Sequence, residues 1–217
     1  MLLTTAYFPP VPWFSAVAAA CTLPDGRMAP AAVYLDACER YRKQSWRNRC
    51  RILAANGPET LIVPVLHEGG TCARPIREVR VDYRTPWVVR TCRALDSAYR
   101  SAAYYAHYRE DVFALLEARP DTLWELDLSL IRIFLEKTGI PARLRLSDSC
   151  PPAGDERFGT DLRRAFHPKH PVPESVRVQR GKPYFQVFSG KYGFQPDLSV
   201  MDLLFNEGPG SISYLLP

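Results

Sequence analysis

Between Glu39 and Val65 the chain reads ERYRKQSWRNRCRILAANGPETLIVPV. Five arginines and one lysine fall between Arg40 and Arg51, with no acid among them and with Tyr41 and Trp46 interleaved. Arginine offers a planar fork that grips phosphate or carboxylate through two hydrogen bonds. On a strand, residues two apart lie about 7 Å apart on one face. Arg47 and Arg49 so placed can bracket a phosphate or diphosphate, with the Asn48 amide beside them. Charges also protect an edge strand from aggregation. A solvated edge is therefore the competing reading, and composition alone favours it.

Two further stretches carry more chemistry than folding requires. AYFPPVPWF (6–14) puts Tyr7 and Trp13 in a proline-stiffened loop after a first strand. Open α/β sheets bind ligands beyond the carboxyl ends of their strands, so this loop can wall a pocket or simply be a turn with buried aromatics. AFHPKHPV (165–172) holds His167, an acid or base near neutral pH, and Lys169, a partner for an anion. A solvent-exposed loop explains the same residues. Cys50 lies among positive charges that favour a thiolate, but its alternation with Ile52 and Ala54 favours a small buried hydrophobe. Asp36 and Asp202 stand as lone carboxylates.

These residues need elements to hold them. LLTTAYF (2–8) reads as a strand, WFSAVAAACT (13–22) as a small-residue helix, and AAVYLDA (31–37) as a buried second strand. Strand, helix and strand at that spacing predict a βαβ unit. Residues 49–54 and 60–65 flank Asn56-Gly57, a strong hairpin signal. A strand is expected over 76–83. A helix capped by Thr85-Pro86 is expected to run through 87–108, with another over 110–118. Leu123, Leu126, Leu130, Ile131, Phe134 and Leu135 mark a core helix over 123–137 that ends at Gly139. Residues 142–148 alternate like a strand, 160–166 read as a short helix capped by Thr160, 184–188 as a strand and 199–206 as a final helix. No period is legible in the polar, proline-rich residues 167–183. The expectation is an α/β fold: one mixed-sheet domain spanning 1–217, with an N-terminal βαβ unit, a hairpin and several packed helices.

Composition bounds the function. The 217 residues are 47% hydrophobic and 24% charged, ordinary for a globular chain that buries its own core. A net charge of +5 is too small for a dedicated nucleic-acid binder. Six cysteines at 21, 38, 50, 72, 92 and 150 fit no zinc spacing, and four histidines are scattered. Reduced thiols in a cytoplasmic protein follow. The N-terminus lacks a signal peptide's basic region, and no stretch is long enough to span a membrane. There is no G-x-G-x-x-G and no P-loop, and no metal site or cofactor is identified.

Seven blocks taken in order resemble the WbqC-like protein family: AYFPP (6–10), ERYRKQSWRNRCRI (39–52), NGPETLIVPV (56–65), SAYRSAAYY (97–105), HPK (167–169), YFQVF (184–188) and GFQPDLSVMDLLFNEGP (193–209). The resemblance picks out Tyr7, Pro10, Tyr41, Lys43, Arg47, Asn48, Arg49, Tyr99, His167, Pro168, Lys169, Asp202 and Asn206. Members occur in O-antigen and other surface-polysaccharide gene clusters, and some have been proposed to be glycine transferases. Many relatives carry His-Trp in the helix before the SAYR block, where this chain has Thr91-Cys92, so a step using that histidine has no counterpart here. Some place Asn at the position of Cys50, which weakens a thiol nucleophile. A family motif centred on RNR shifts the balance toward anion binding.

The expected function is a transferase acting on an anionic small molecule such as a nucleotide sugar or an activated amino acid. Arg47 and Arg49 would hold the anion, His167 would take a proton, Lys169 would balance the leaving group, and Tyr7, Trp13 and Tyr41 would stack on a base or sugar. A nucleotidyl-transferase-like enzyme is a variant on fold analogy alone. The alternative is a non-catalytic binding or assembly factor for cell-surface biosynthesis, presenting an apolar patch and no deep pocket.

Overall fold

A computed structural model describes residues 1–66, 74–147, 150–170, 172–173 and 182–216. Cys72, Asp148 and residues 174–181 are among those outside the described residues. Strand β1 (Leu2–Leu3), helix α1 (Val11–Ala20) and strand β2 (Ala31–Leu35) form the expected βαβ unit, with β1 and β2 parallel. Strand β5 (Ala142–Leu146) lies parallel on the other side of β2, giving the order β1-β2-β5.

The first strand stops far short of residue 8. Beyond Leu3 the backbone finds other partners: Tyr7 N–H donates to Trp46 O, and Phe8 takes a positive φ of 42° that no strand accommodates. Helix α1 begins two residues before Trp13, because Pro12 falls in its first turn, where a missing N–H is harmless.

The hairpin pairs β3 (Arg49–Ala54) with β4 (Gly57–Ile62) as a two-stranded sheet of its own. Its second strand starts three residues before position 60. Ala55 and Asn56 make the turn without positive φ, and Gly57 follows at φ 107°. Asn-Gly thus places glycine just after the turn, where the left-handed conformation is needed.

Four other expectations are corrected, each because tertiary partners claim the backbone. Residues 76–83 form a 3-10 turn (Ile76–Glu78) with isolated bridges at Val81 and Arg80. The long helix over 87–108 divides into α2 (Trp87–Tyr99) and α3 (Tyr105–Glu117), since Tyr104 N–H donates to Phe205 O across the fold. Residues 160–166 are not helical: Thr160 O and Leu162 N–H bond Leu2 at the edge of β1. Residues 184–188 form no strand: 187–188 turn into the next helix, and Phe185 N–H is given to the Glu207 carboxylate.

Helix α4 (Leu123–Thr138) matches expectation, with a Thr122–Glu125 capping box and Gly139 at φ 73° closing it. Phe134 packs edge-on against Phe8 and Phe14, so α4 backs both the first loop and α1. The short α5 (Ser189–Tyr192), α6 (Val200–Glu207) and α7 (Ser211–Leu215) complete the chain. One cluster of buried side chains runs from Leu3 to Leu215.

Candidate functional site

Four separated stretches meet at one small cleft of about 40 Å³. Pro10 and Pro12 come from the first loop and α1, Trp46 and Arg51 from the basic run and β3, and Asp197 from the segment before α6. Phe166, His167, Pro168, His170 and Val172 form the remaining wall. Backbone bonds hold the rim together. Val11 N–H donates to Leu198 O, Val200 N–H to Pro9 O and Ser199 N–H to Arg51 O.

His167 and Lys169 do lie beside the basic run, more than a hundred residues away in sequence. Lys169 Nζ donates to Gln44 Oε1 at 2.5 Å. Burial, then the charges of His170, Arg47, Lys169 and Arg42, lower the pKa of His167. Its Nδ1 accepts Lys169 N–H at 3.2 Å, which leaves Nε2 to carry the proton of the neutral ring. Acting as a base at Nδ1 requires that bond to be released.

The arginines differ sharply. Arg47, expected to hold the anion, is only 6% exposed. Its Nε and Nη2 donate to Glu39 Oε2 at 2.9 and 2.6 Å. Arg49 and Arg51 are half-buried on the β3 face away from Cys50 and Ile52, and Arg49 Nε is buried without a hydrogen-bond partner. Arg51 lines the cleft. Asn48 Nδ2 donates to Val63 O at 3.0 Å, while its Oδ1 is unpartnered. Lys43 is exposed.

The aromatics expected to stack are core side chains instead. Tyr7, Trp13 and Tyr41 are buried, and Trp13 Nε1 donates to Thr4 O. Trp46 is the aromatic that reaches the cleft. Tyr99 packs against Tyr105 and Phe205. Cys50 is buried, and burial pushes its thiol far above the ordinary range, as a small hydrophobe's would be. Cys21, Cys38, Cys50, Cys92 and Cys150 are free thiols. Among the described residues no three His, Cys, Asp or Glu side chains are placed to hold a metal, and no helix is long and apolar enough to cross a membrane.

Asp202 lies in the first turn of α6, just past the segment that closes the cleft. Tyr184 Oη and Gln186 Nε2 donate to its Oδ2 at 2.8 and 3.0 Å. Burial nevertheless pushes its pKa up to about 6, against the lowering effect of Tyr184, Tyr99 and Gln186. The folded state therefore holds this proton more tightly than the unfolded chain. Stability from this group falls as pH rises from about 4 to about 6, by about 3 kcal/mol in all. Asp202→Asn keeps the acceptor for Tyr184 and Gln186 but cannot titrate. Its melting temperature is expected to gain on wild type across that pH window and to stay level above it. Parallel melting profiles from pH 4 to 8 would show the assignment to be wrong.

Sequence reasoning missed two acids. Glu39, at the border of the basic run, is the partner of Arg47. Asp127 lies in the helix read as pure core and is fully buried. The signal was available: Asp127 follows Leu123 by four and precedes Leu130 and Ile131 by three and four, squarely on the apolar stripe. Burial, and then the charge of Glu39, drive its pKa upward, while Thr5 and Arg47 oppose the shift.

A family model described as the WbqC-like protein family matches residues 5–170. The chain is also 30% identical to the uncharacterized protein Rv1507c of Mycobacterium tuberculosis (strain ATCC 25618 / H37Rv), across 81% of this chain and 84% of that one. No solved structure matches. With the family model covering well over half of its length, the chain belongs to the WbqC-like protein family.

Proposed function

We propose that this protein is a cytoplasmic transferase of surface-polysaccharide biosynthesis, joining an amino acid such as glycine to an activated sugar. One observation supports it above the others: Arg51, His167 and Trp46 meet at a cleft built from four distant stretches of chain. Both substrates of such a reaction supply an anion, a diphosphate on the sugar or a phosphate on the activated amino acid. In this reading Arg49 and Arg51 bracket that anion, with Lys169 balancing the leaving group. Trp46 walls the cleft beside it. Arg47, held by Glu39, fixes the turn that carries Trp46. The amine attacks the activated carbon, the phosphate oxygen leaves with the bonding pair, and the amine proton passes to His167.

The test is a melting screen with nucleosides, nucleoside diphosphates and nucleotide sugars, since a ligand that binds only the folded state raises its melting temperature. Diphosphate compounds should raise it and the matching nucleosides should not. A screen in which none of them acts removes the reading. It then favours a non-catalytic assembly factor, for which the 61% exposure of Phe185 is the relevant observation.

A further inference from the structure

Helices α2 and α3 leave a groove between them that shares no lining residue with the cleft. It encloses about 440 Å³, within the range of roughly 300–1,000 Å³ usual for small-molecule sites. Its floor is apolar: Val88, Val89 and Cys92 come from α2 and Phe113 from α3. Val89 keeps 47% of its surface exposed there. Arg93, Arg109 and Arg119 stand around that floor, with Asp96 and Glu117 as the acids of the lining. A second hollow of about 370 Å³ shares Arg93 and Asp96 and adds Ser97 and Arg100, so the groove continues along α2. Val89, Arg93, Asp96 and Arg100 recur three or four residues apart, which sets them along one face of the helix over about 16 Å.

The charges are not equivalent. Asp96 is committed: Oδ1 accepts Arg109 Nε at 2.7 Å and Tyr105 Oη at 2.9 Å, and Oδ2 accepts Arg109 Nη2 at 3.0 Å. The Arg109 bonds hold its carboxyl below the usual range. The Arg109 guanidinium also lies over the Phe113 ring, 4.1 Å from the centroid. An acid and a ring thus fix its orientation and leave it further N–H donors. Among the described residues Arg93, Arg100 and Arg119 form no ion pair. Four guanidiniums against two carboxylates leave the two hollows with a surplus of two positive charges. A phosphate monoester, with about −1.5 to −2 at neutral pH, matches that surplus. A carboxylate would balance only half of it. Inorganic phosphate would leave the apolar floor in water, and a neutral apolar compound would leave the arginines without a counter-ion.

We propose that the groove between α2 and α3 binds an organic phosphate monoester with an apolar or aromatic body. The valines, Cys92 and Phe113 take the body. Arg93 and Arg109 take the phosphate through their planar forks, and because Arg109 is already oriented it loses little freedom on binding. No bond is made or broken there. The groove is a binding site separate from the chemistry proposed for the cleft, so either reading can fail without the other.

Phenyl phosphate is the probe, with inorganic phosphate and phenol as controls at equal concentration and ionic strength. At about tenfold excess over its dissociation constant, phenyl phosphate should raise the melting temperature by about 3–6 °C over either control. Arg93→Glu and Val89→Asp alter exposed side chains, so both should fold as wild type does. Each should weaken binding by about tenfold or more, while Arg51→Ala in the cleft should leave it unchanged. Inorganic phosphate acting as strongly as phenyl phosphate is a general anion effect and would overturn the site. Full affinity in both groove variants, or loss of binding in Arg51→Ala, would put the probe elsewhere and overturn it too. A soluble ester and a membrane phosphatidate carry the same head. Binding to phosphatidate vesicles, absent with plain phosphatidylcholine and abolished by Arg93→Glu, identifies the lipid as the source. No vesicle binding with the phenyl phosphate response intact identifies a soluble ester.

Discussion

Arg47→Ala is expected to lower the free energy of unfolding by about 3–5 kcal/mol at neutral pH. Both partners of the Arg47–Glu39 pair have side chains only 7% exposed. Removing the guanidinium leaves Glu39 buried with an uncompensated charge. Burial already raises the Glu39 pKa against the opposing effect of Arg47, so without Arg47 the carboxyl will take up a proton. The defect should therefore grow as pH rises, because the folded state then holds a proton that the solvent no longer supplies. Arg47→Lys should retain part of the stability, since an ammonium restores charge but not two donors to one oxygen. Combining Arg47→Met with Glu39→Gln should recover much of the loss, since the buried charge disappears with its partner. Urea unfolding of the four proteins measures this. A loss below about 1 kcal/mol for Arg47→Ala is the surface result, and it would mean that the pair is solvated.

Where sequence and structure agree, local chemistry and tertiary context ask for the same thing. The capping box at Thr122, Gly139 and the apolar stripe of α4 all specify one helix, and the Asn-Gly hairpin needed only a correction of register. Where they part, the backbone is bonded to something remote. No local rule announces that Tyr104 N–H is bound to Phe205 O, or that Leu2 draws residues 160–162 out of a helix. The site follows the same division. Clustered arginines, prolines and His167 marked the stretches that meet at the cleft. Their order of burial was not legible, because it depends on Glu39, whose role appears only when the turn at 43–48 folds back on it. Asp127 was hidden by its setting, since an acid on an apolar stripe looks like noise until the fold shows it fully buried.

That reassignment of the arginines leads to the second large effect, at the cleft. Arg51→Ala should weaken binding of a nucleoside diphosphate by about 2–5 kcal/mol, the range for a charge-paired contact made away from water. Arg51 is already half-buried and lines the cleft beside His167, so a bound anion would take its remaining water. Arg49, two residues away on the same face, has an Nε that is buried and unbonded. Arg49→Ala should act in the same direction, and the double variant should lose less than the sum, because both forks hold one ligand. Neither change should cost more than about 1 kcal/mol of stability, as neither guanidinium is committed to a buried acid in the way Arg47 is. Lysine at 51 should restore only part of the affinity, since it lacks the planar fork. Titration and urea unfolding on the same preparations separate the two properties. If Arg51→Ala binds diphosphate as wild type does while Lys43→Ala loses it, the anion sits on the exposed turn rather than in the cleft, and the roles given to Arg51 and His167 fall together.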